Sequence, residues 1–145
     1  MIARVFMAAL LLHSSPLAAQ TATPPPPLDA AERALVSALM LPDREAFRQL
    51  LAADAVFDVP VEVRGPDAIV QKWLPFLASP EVRMAPIIET STTAETGKTG
   101  ETSGTFAVYG RTTKGMTMTS VGAFSITWRL VEGRWKIERL SRNKS

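Results

Sequence analysis

The sequence has no cysteine and a single histidine, tyrosine and asparagine. Without thiols there is no disulfide framework, no thiolate metal site and no thiol for a lipid anchor, so the fold must hold by packing alone. The histidine, His13, lies in an N-terminal segment patterned as an export signal: Arg4 gives a positive start, Val5 to Leu12 an apolar run, and Ser14 to Ala19 a small-residue exit. Removal of residues 1–19 would leave a chain starting near Gln20 with no histidine at all. The stretch from Thr102 to Val131 contains no aspartate or glutamate. This shortage of acid–base groups narrows the function more than any positive motif does.

The apolar run is shorter than the roughly 20 residues a spanning helix needs, and Pro16 follows it at once. The expectation is a cleaved signal, a periplasmic or secreted location and no membrane span afterwards. About 125 residues then remain, the size of one domain with one core. An apolar share of 46% and a charged share of 21% are those of a globular protein. Taking Arg4 from 16 bases leaves 15 against 14 acids, a net of +1, and the bases are scattered. No nucleic-acid partner is expected from such a surface.

Residues 20–28 form a proline-rich leader whose TATPPPP run (Thr21 to Pro27) favours polyproline II and acts as a spacer. The domain is expected over residues 29–141, with 142–145 as a tail. Asp29 and Glu32 have the spacing of a capping box, with Leu28 as its staple, opening a helix to about Leu41 that buries Ala31, Leu35, Ala38 and Leu39. Pro42 stops it, and Asp43 caps a shorter helix burying Phe47, Leu50 and Leu51. From Ala55 to Arg64 the pattern alternates, with Phe57, Val59, Val61 and Val63 on one side, as in a strand or bent hairpin. Pro66 starts a third helix that turns Ile69 and Trp73 inward and is kinked or ended early by Pro75.

Four strands follow in an antiparallel meander: Val82 to Thr93, Thr99 to Tyr109, Met116 to Leu130 and Arg134 to Leu140. In the third, Met116, Met118, Phe124, Ile126, Trp128 and Leu130 share one parity, which predicts a buried face containing all of them. The Gly97-Lys98-Thr99 run lacks the first glycine of a phosphate loop, which is Thr92 here, and reads as a hairpin turn. Helices followed by long antiparallel strands predict an α+β fold.

The segments LLAADAVFDVP (Leu50 to Pro60), RGPDAIVQKW (Arg64 to Trp73) and GAFSITWRLVEGRWKIERL (Gly122 to Leu140) resemble the nuclear transport factor 2-like superfamily, in its SnoaL-like and ketosteroid-isomerase-like group. The resemblance spans roughly Asp29 to Leu140. It implies a cone: a curved antiparallel sheet with about three helices covering its concave face, commonly enclosing a cavity, and often a homodimer through the exposed sheet face. It does not imply one reaction, because the fold hosts isomerases, dehydratases, epoxide hydrolases, cyclases and binding modules.

Matched by position, the isomerases' general base falls at Val59, their oxyanion-binding tyrosine at Leu35, and their second acid near Gly122. None of the three can exchange a proton. Related dehydratases rely on histidine. The epoxide hydrolases use an Asp, Arg, Asp set with Asn and Tyr, and the one asparagine here, Asn143, is near the C-terminal end. Cyclases need an aspartate in the pocket, and alternation puts Asp58 on the opposite face from Val59.

Three readings follow. The preferred one is a binding or accessory domain for a small apolar ligand, without cofactor or metal, whose pocket draws on Leu35, Val59, Trp73, Phe106, Met118, Phe124 and Trp128. The second is an enzyme on a small apolar substrate, with Glu89 or Asp58 as base, Tyr109 as donor and Arg111 as electrostatic support. A ligand-free dimerising scaffold, with the cone filled by Trp73, Phe124 and Trp128, is a third.

Overall fold

A computed structural model describes residues 24–58 and 61–143. The export-signal segment with His13, the start of the leader, Val59 and the last two residues lie outside the described residues. Three helices, α1 (Leu28–Met40), α2 (Arg44–Gln49) and α3 (Pro66–Ala78), pack against one sheet. Its strands are β1 (Leu51–Asp58), β2 (Glu62–Arg64), β3 (Val82–Thr93), β4 (Thr99–Thr112), β5 (Gly115–Val131) and β6 (Arg134–Asn143). They lie in the order β2-β1-β6-β5-β4-β3, an α+β arrangement with the helices on the concave face of a curved, unclosed sheet.

The meander β3-β4-β5-β6 is antiparallel, but β1 runs parallel to β6, so the sheet is mixed. A parallel neighbour needs a long crossover, and the chain from β1 to β6 supplies it through α3 and the meander. The alternating segment divides into β1 and β2, a hairpin pairing Phe57 with Val63. Val61 sits in the turn and is exposed, which corrects its expected place on the apolar side. Glu132 and Gly133 both take positive φ, 50° and 77°, the geometry of the tight turn that joins β5 to β6.

The first helix begins without the capping box. Pro27 stands at its N-cap, no side chain caps it, and Asp29 instead pairs with Arg33 at 2.6 Å. Glu32 is buried and turns to the sheet. The last part of the leader belongs to the domain: Leu28 is buried against Gly100, and the Trp135 indole N–H donates to the Pro26 carbonyl at 2.7 Å. In α3 the helix runs on through Pro75. Pro75 and Gln71, whose carbonyl loses its helical donor, are both exposed residues.

Three register shifts bend the meander. An extra residue occurs at Glu89 in β3, at Thr119 in β5 and at Glu138 in β6. Each reverses the side-chain parity beyond it, the usual effect of a bulge. Next to the first bulge the β3 backbone lies so close that a Cβ on Gly104 would stand 2.0 Å from the Ile87 carbonyl oxygen. Gly104→Ala is therefore expected to lower stability by about 2 kcal/mol or more, because rigid backbone must move. Chemical denaturation measures this, and an unchanged midpoint would contradict the close approach.

Candidate functional site

Between the helices and the sheet lies a cavity of about 300 Å³. Its helical wall is Leu35 and Leu39 from α1 with Lys72, Trp73 and Phe76 from α3. Its sheet wall is Met84 and Pro86 from β3, Phe106 and Val108 from β4, Ser120, Phe124 and Ile126 from β5, and Leu140 and Arg142 from β6. The sheet residues alternate because successive side chains point to opposite faces, so every second residue reaches the concave side.

Aromatic packing fixes the helical wall. The Trp73 ring stacks on Phe47 at 5.5 Å and meets Phe57 and Phe76 edge-on at 5.2 and 5.6 Å. These contacts tie α3 to α2 and β1. On the sheet wall, Phe106 lies over Gly122, where a Cβ would stand 2.6 Å from its ring. The guanidinium of Arg142 sits over the same ring, 5.7 Å from its centroid. Gly122, near which the resemblance to the steroid isomerases would put an acid, thus serves as the seat of an aromatic ring.

Leu35, Trp73, Phe106 and Phe124 are on the cavity wall, whereas two other residues expected there are elsewhere. Met118 is 56% exposed, on the outer face beside Tyr109, because the extra residue at Thr119 slips the parity between Met118 and Ser120. Met116 shares its fate. Trp128 is fully buried but stands outside the cavity lining. Its indole N–H donates to Thr102 Oγ1 at 2.8 Å, and that hydroxyl donates to Glu32 Oε1 at 2.5 Å. Val59 lies outside the described residues.

The four candidates for an enzymatic site are not brought together, and none lines the cavity. Glu89 is the bulged residue of β3, exposed, and accepts a long 3.4 Å hydrogen bond from Thr105. Asp58 pairs with Arg139 and accepts from Ser141 Oγ at 3.2 Å on the outer side of the sheet. Tyr109 lies opposite Met118 on the outer face. Arg111 is exposed and pairs with Glu81 at 2.8 Å, not with Glu89. Asp54, whose carboxyl is held below its ordinary range by the hydrogen bond from Arg129, is exposed on β1, away from the cavity.

Sequence reasoning missed Glu32, Lys72 and Arg142. Glu32 shares a stripe with Leu28, Leu35 and Leu39 at helical spacing, which marks a carboxyl on a buried face, but the capping-box spacing competed for it. The sequence pattern puts Arg142 in a tail, whereas β6 continues to Asn143 and alternation from Leu140 carries Arg142 to the concave side. Lys72 had no signal beyond its place beside Trp73.

The family model described as the SnoaL-like domain matches residues 35–141. No protein of curated function matches the sequence. Among solved structures, the chain is similar to a protein of unknown function from Mycobacterium tuberculosis, with 15% identity over 81% of this chain and 74% of that one and a TM-score of 0.66. It is similar to a putative scytalone dehydratase from Novosphingobium aromaticivorans, with 14% identity over 81% of each chain and a TM-score of 0.66. A putative aromatic ring hydroxylase from the same organism shows 19% identity over 80% of this chain and 85% of that one, with a TM-score of 0.63. At such identities the likeness is one of fold.

Proposed function

The chain belongs to the SnoaL-like domain family, of nuclear transport factor 2-like fold, and from that premise we propose that it is an exported binding or accessory domain that holds a small ligand in an apolar cavity without transforming it. The family has ligand-binding and enzymatic members, so the choice between them rests on the site. The observation that carries the reading is the composition of the cavity wall: among the described residues, eleven of the fourteen that line it are apolar or aromatic, and the other three, Lys72, Ser120 and Arg142, include no carboxyl, imidazole or phenol.

A proton-transfer catalyst needs a base within about 3 Å of the proton it removes, and among the described residues no carboxylate, imidazole or phenol borders this space, the one amine being that of Lys72. The alternative of an enzyme using Glu89, Asp58, Tyr109 and Arg111 requires residues that lie on the outer face or the sheet edge. A volume of about 300 Å³ lies at the lower end for small-molecule sites and favours a bound ligand over a purely structural scaffold. Export is the part of the proposal that rests on the sequence of residues 1–19 alone. A homodimer through the outer sheet face also belongs to it, supported by Ile87, Met116, Met118 and Val121, exposed apolar side chains whose registers bring them to that face.

Calorimetric titration with 1-octanol tests the cavity. At the ~30 Å³ that a water molecule claims in the liquid, the space holds about ten non-hydrogen atoms, near the size of this alcohol. Saturable binding with one molecule per chain, a Kd on the order of 0.1–1 mM and a negative heat-capacity change is expected. Val108→Phe, which fills part of the wall, should weaken it several-fold. Heats that never saturate would defeat the proposal.

A further inference from the structure

The cavity is apolar in its body, yet two of its wall residues carry fixed positive charge. Lys72 comes from the helical wall and Arg142 from the sheet wall, both exposed and therefore at the solvent side of the space. Among the described residues no carboxylate lines the cavity and neither of these cations forms an ion pair, so no neighbouring acid neutralises them there. Arg142 is held in place over the Phe106 ring, so its guanidinium is partly pre-organised at the rim. Ser120 adds a hydroxyl to the same wall. The domain as a whole is nearly balanced in charge, which makes this local excess a property of the cavity and not of the protein's general surface.

We propose that the cavity selects an amphipathic anion: a small aliphatic or aromatic acid whose apolar body fills the space against Trp73, Phe124 and Ile126, while its carboxylate sits at the rim between Lys72 and Arg142. The inference rests on the cavity reading given above and names the ligand class for it. The physical logic is a division of labour. Burial of the apolar body supplies affinity in proportion to the area removed from water. The rim cations supply discrimination, because an anionic head stays in contact with water and gains their field without full desolvation. A lysine acts there as a mobile point charge, whereas an arginine offers a planar fork that matches two carboxylate oxygens. A cationic ligand of the same shape meets the opposite sign and is rejected.

The test compares octanoate with 1-octanol, equal in chain length and different in head-group charge, by calorimetric titration at 50 mM and 500 mM NaCl. Octanoate is expected to bind about five- to tenfold more tightly than octanol at the lower salt, with the ratio shrinking at the higher one as exposed charges are screened. In the double variant Lys72→Met/Arg142→Met, which keeps apolar stems over the wall, the octanoate-to-octanol affinity ratio should fall to about one. Octylammonium should bind more weakly than octanol to the unaltered protein. Saturable octanol binding with no preference for octanoate, or a preference that survives the double substitution, would overturn the anion proposal and leave the cavity reading standing. Failure of all three probes to bind would instead overturn the cavity reading, and this inference with it.

Discussion

Trp73→Ala is expected to unfold the protein roughly 10–20 °C lower than the unaltered chain and to abolish saturable octanol binding in whatever fraction remains folded at 25 °C. Truncation of a buried tryptophan costs about 3–5 kcal/mol, and each kcal/mol moves the midpoint of a domain this size by about 4 °C. The site is close to the worst case. Trp73 is 7% exposed, and its ring touches Phe47, Phe57 and Phe76, so the substitution removes three aromatic contacts with the buried area. Those partners belong to α2, β1 and α3 itself, and the loss loosens the whole helical wall of the cavity. Trp73→Phe keeps one ring in the cluster and should lose less than half as much. Differential scanning calorimetry of the two variants is the measurement. A shift below about 5 °C for the alanine variant would mean that the helical layer does not depend on this ring.

Trp73 was legible in the sequence because it obeys a rule without exceptions nearby: an apolar residue at helical spacing from Ile69, in a helix whose start Pro66 announces. Leu35 was legible for the same reason, and Phe106 and Phe124 by the two-residue alternation of strands. Met118 was not, and the cause is specific. Alternation assigns a face only while the strand stays regular, and the single extra residue at Thr119 moves Met116 and Met118 to the outer side. Nothing in the threonine-rich run around Thr119 distinguishes a bulge from a straight strand, since its residues suit either. The same blindness hid the bulge at Glu89, which turned a candidate base into an exposed irregularity. Length and order of the elements survived such slips because they depend on turns and breakers, whose chemistry is local. The parallel pairing of β1 with β6 depends on contacts far apart in the chain, and no local pattern encodes it.

Thr102→Val is expected to be among the most destabilising single-residue changes of similar volume, and adding Glu32→Leu to it should restore part of the loss. Thr102 Oγ1 accepts from the Trp128 indole and donates to Glu32 Oε1, at 2.8 and 2.5 Å, and all three residues are 5% exposed or less. Valine keeps the shape and removes both bonds at once, leaving a carboxyl and an indole N–H in a dry interior. Each orphaned group costs about 1–3 kcal/mol, more where the group is charged, so a loss of about 3–4 kcal/mol follows. Glu32→Leu alone orphans the Thr102 hydroxyl hydrogen, which can rotate, and should cost about 1–2 kcal/mol. In the double variant only the Trp128 N–H remains unpaired, and the total should lie near 2 kcal/mol, well short of the sum of the single losses. The non-additivity is the signature, since residues in one hydrogen-bond network couple while independent ones do not. Urea unfolding of the three variants and the parent gives the cycle directly. Additive losses would show that Glu32 and Thr102 are neighbours without being partners, and the buried carboxyl on α1 would then need another reason to face the sheet.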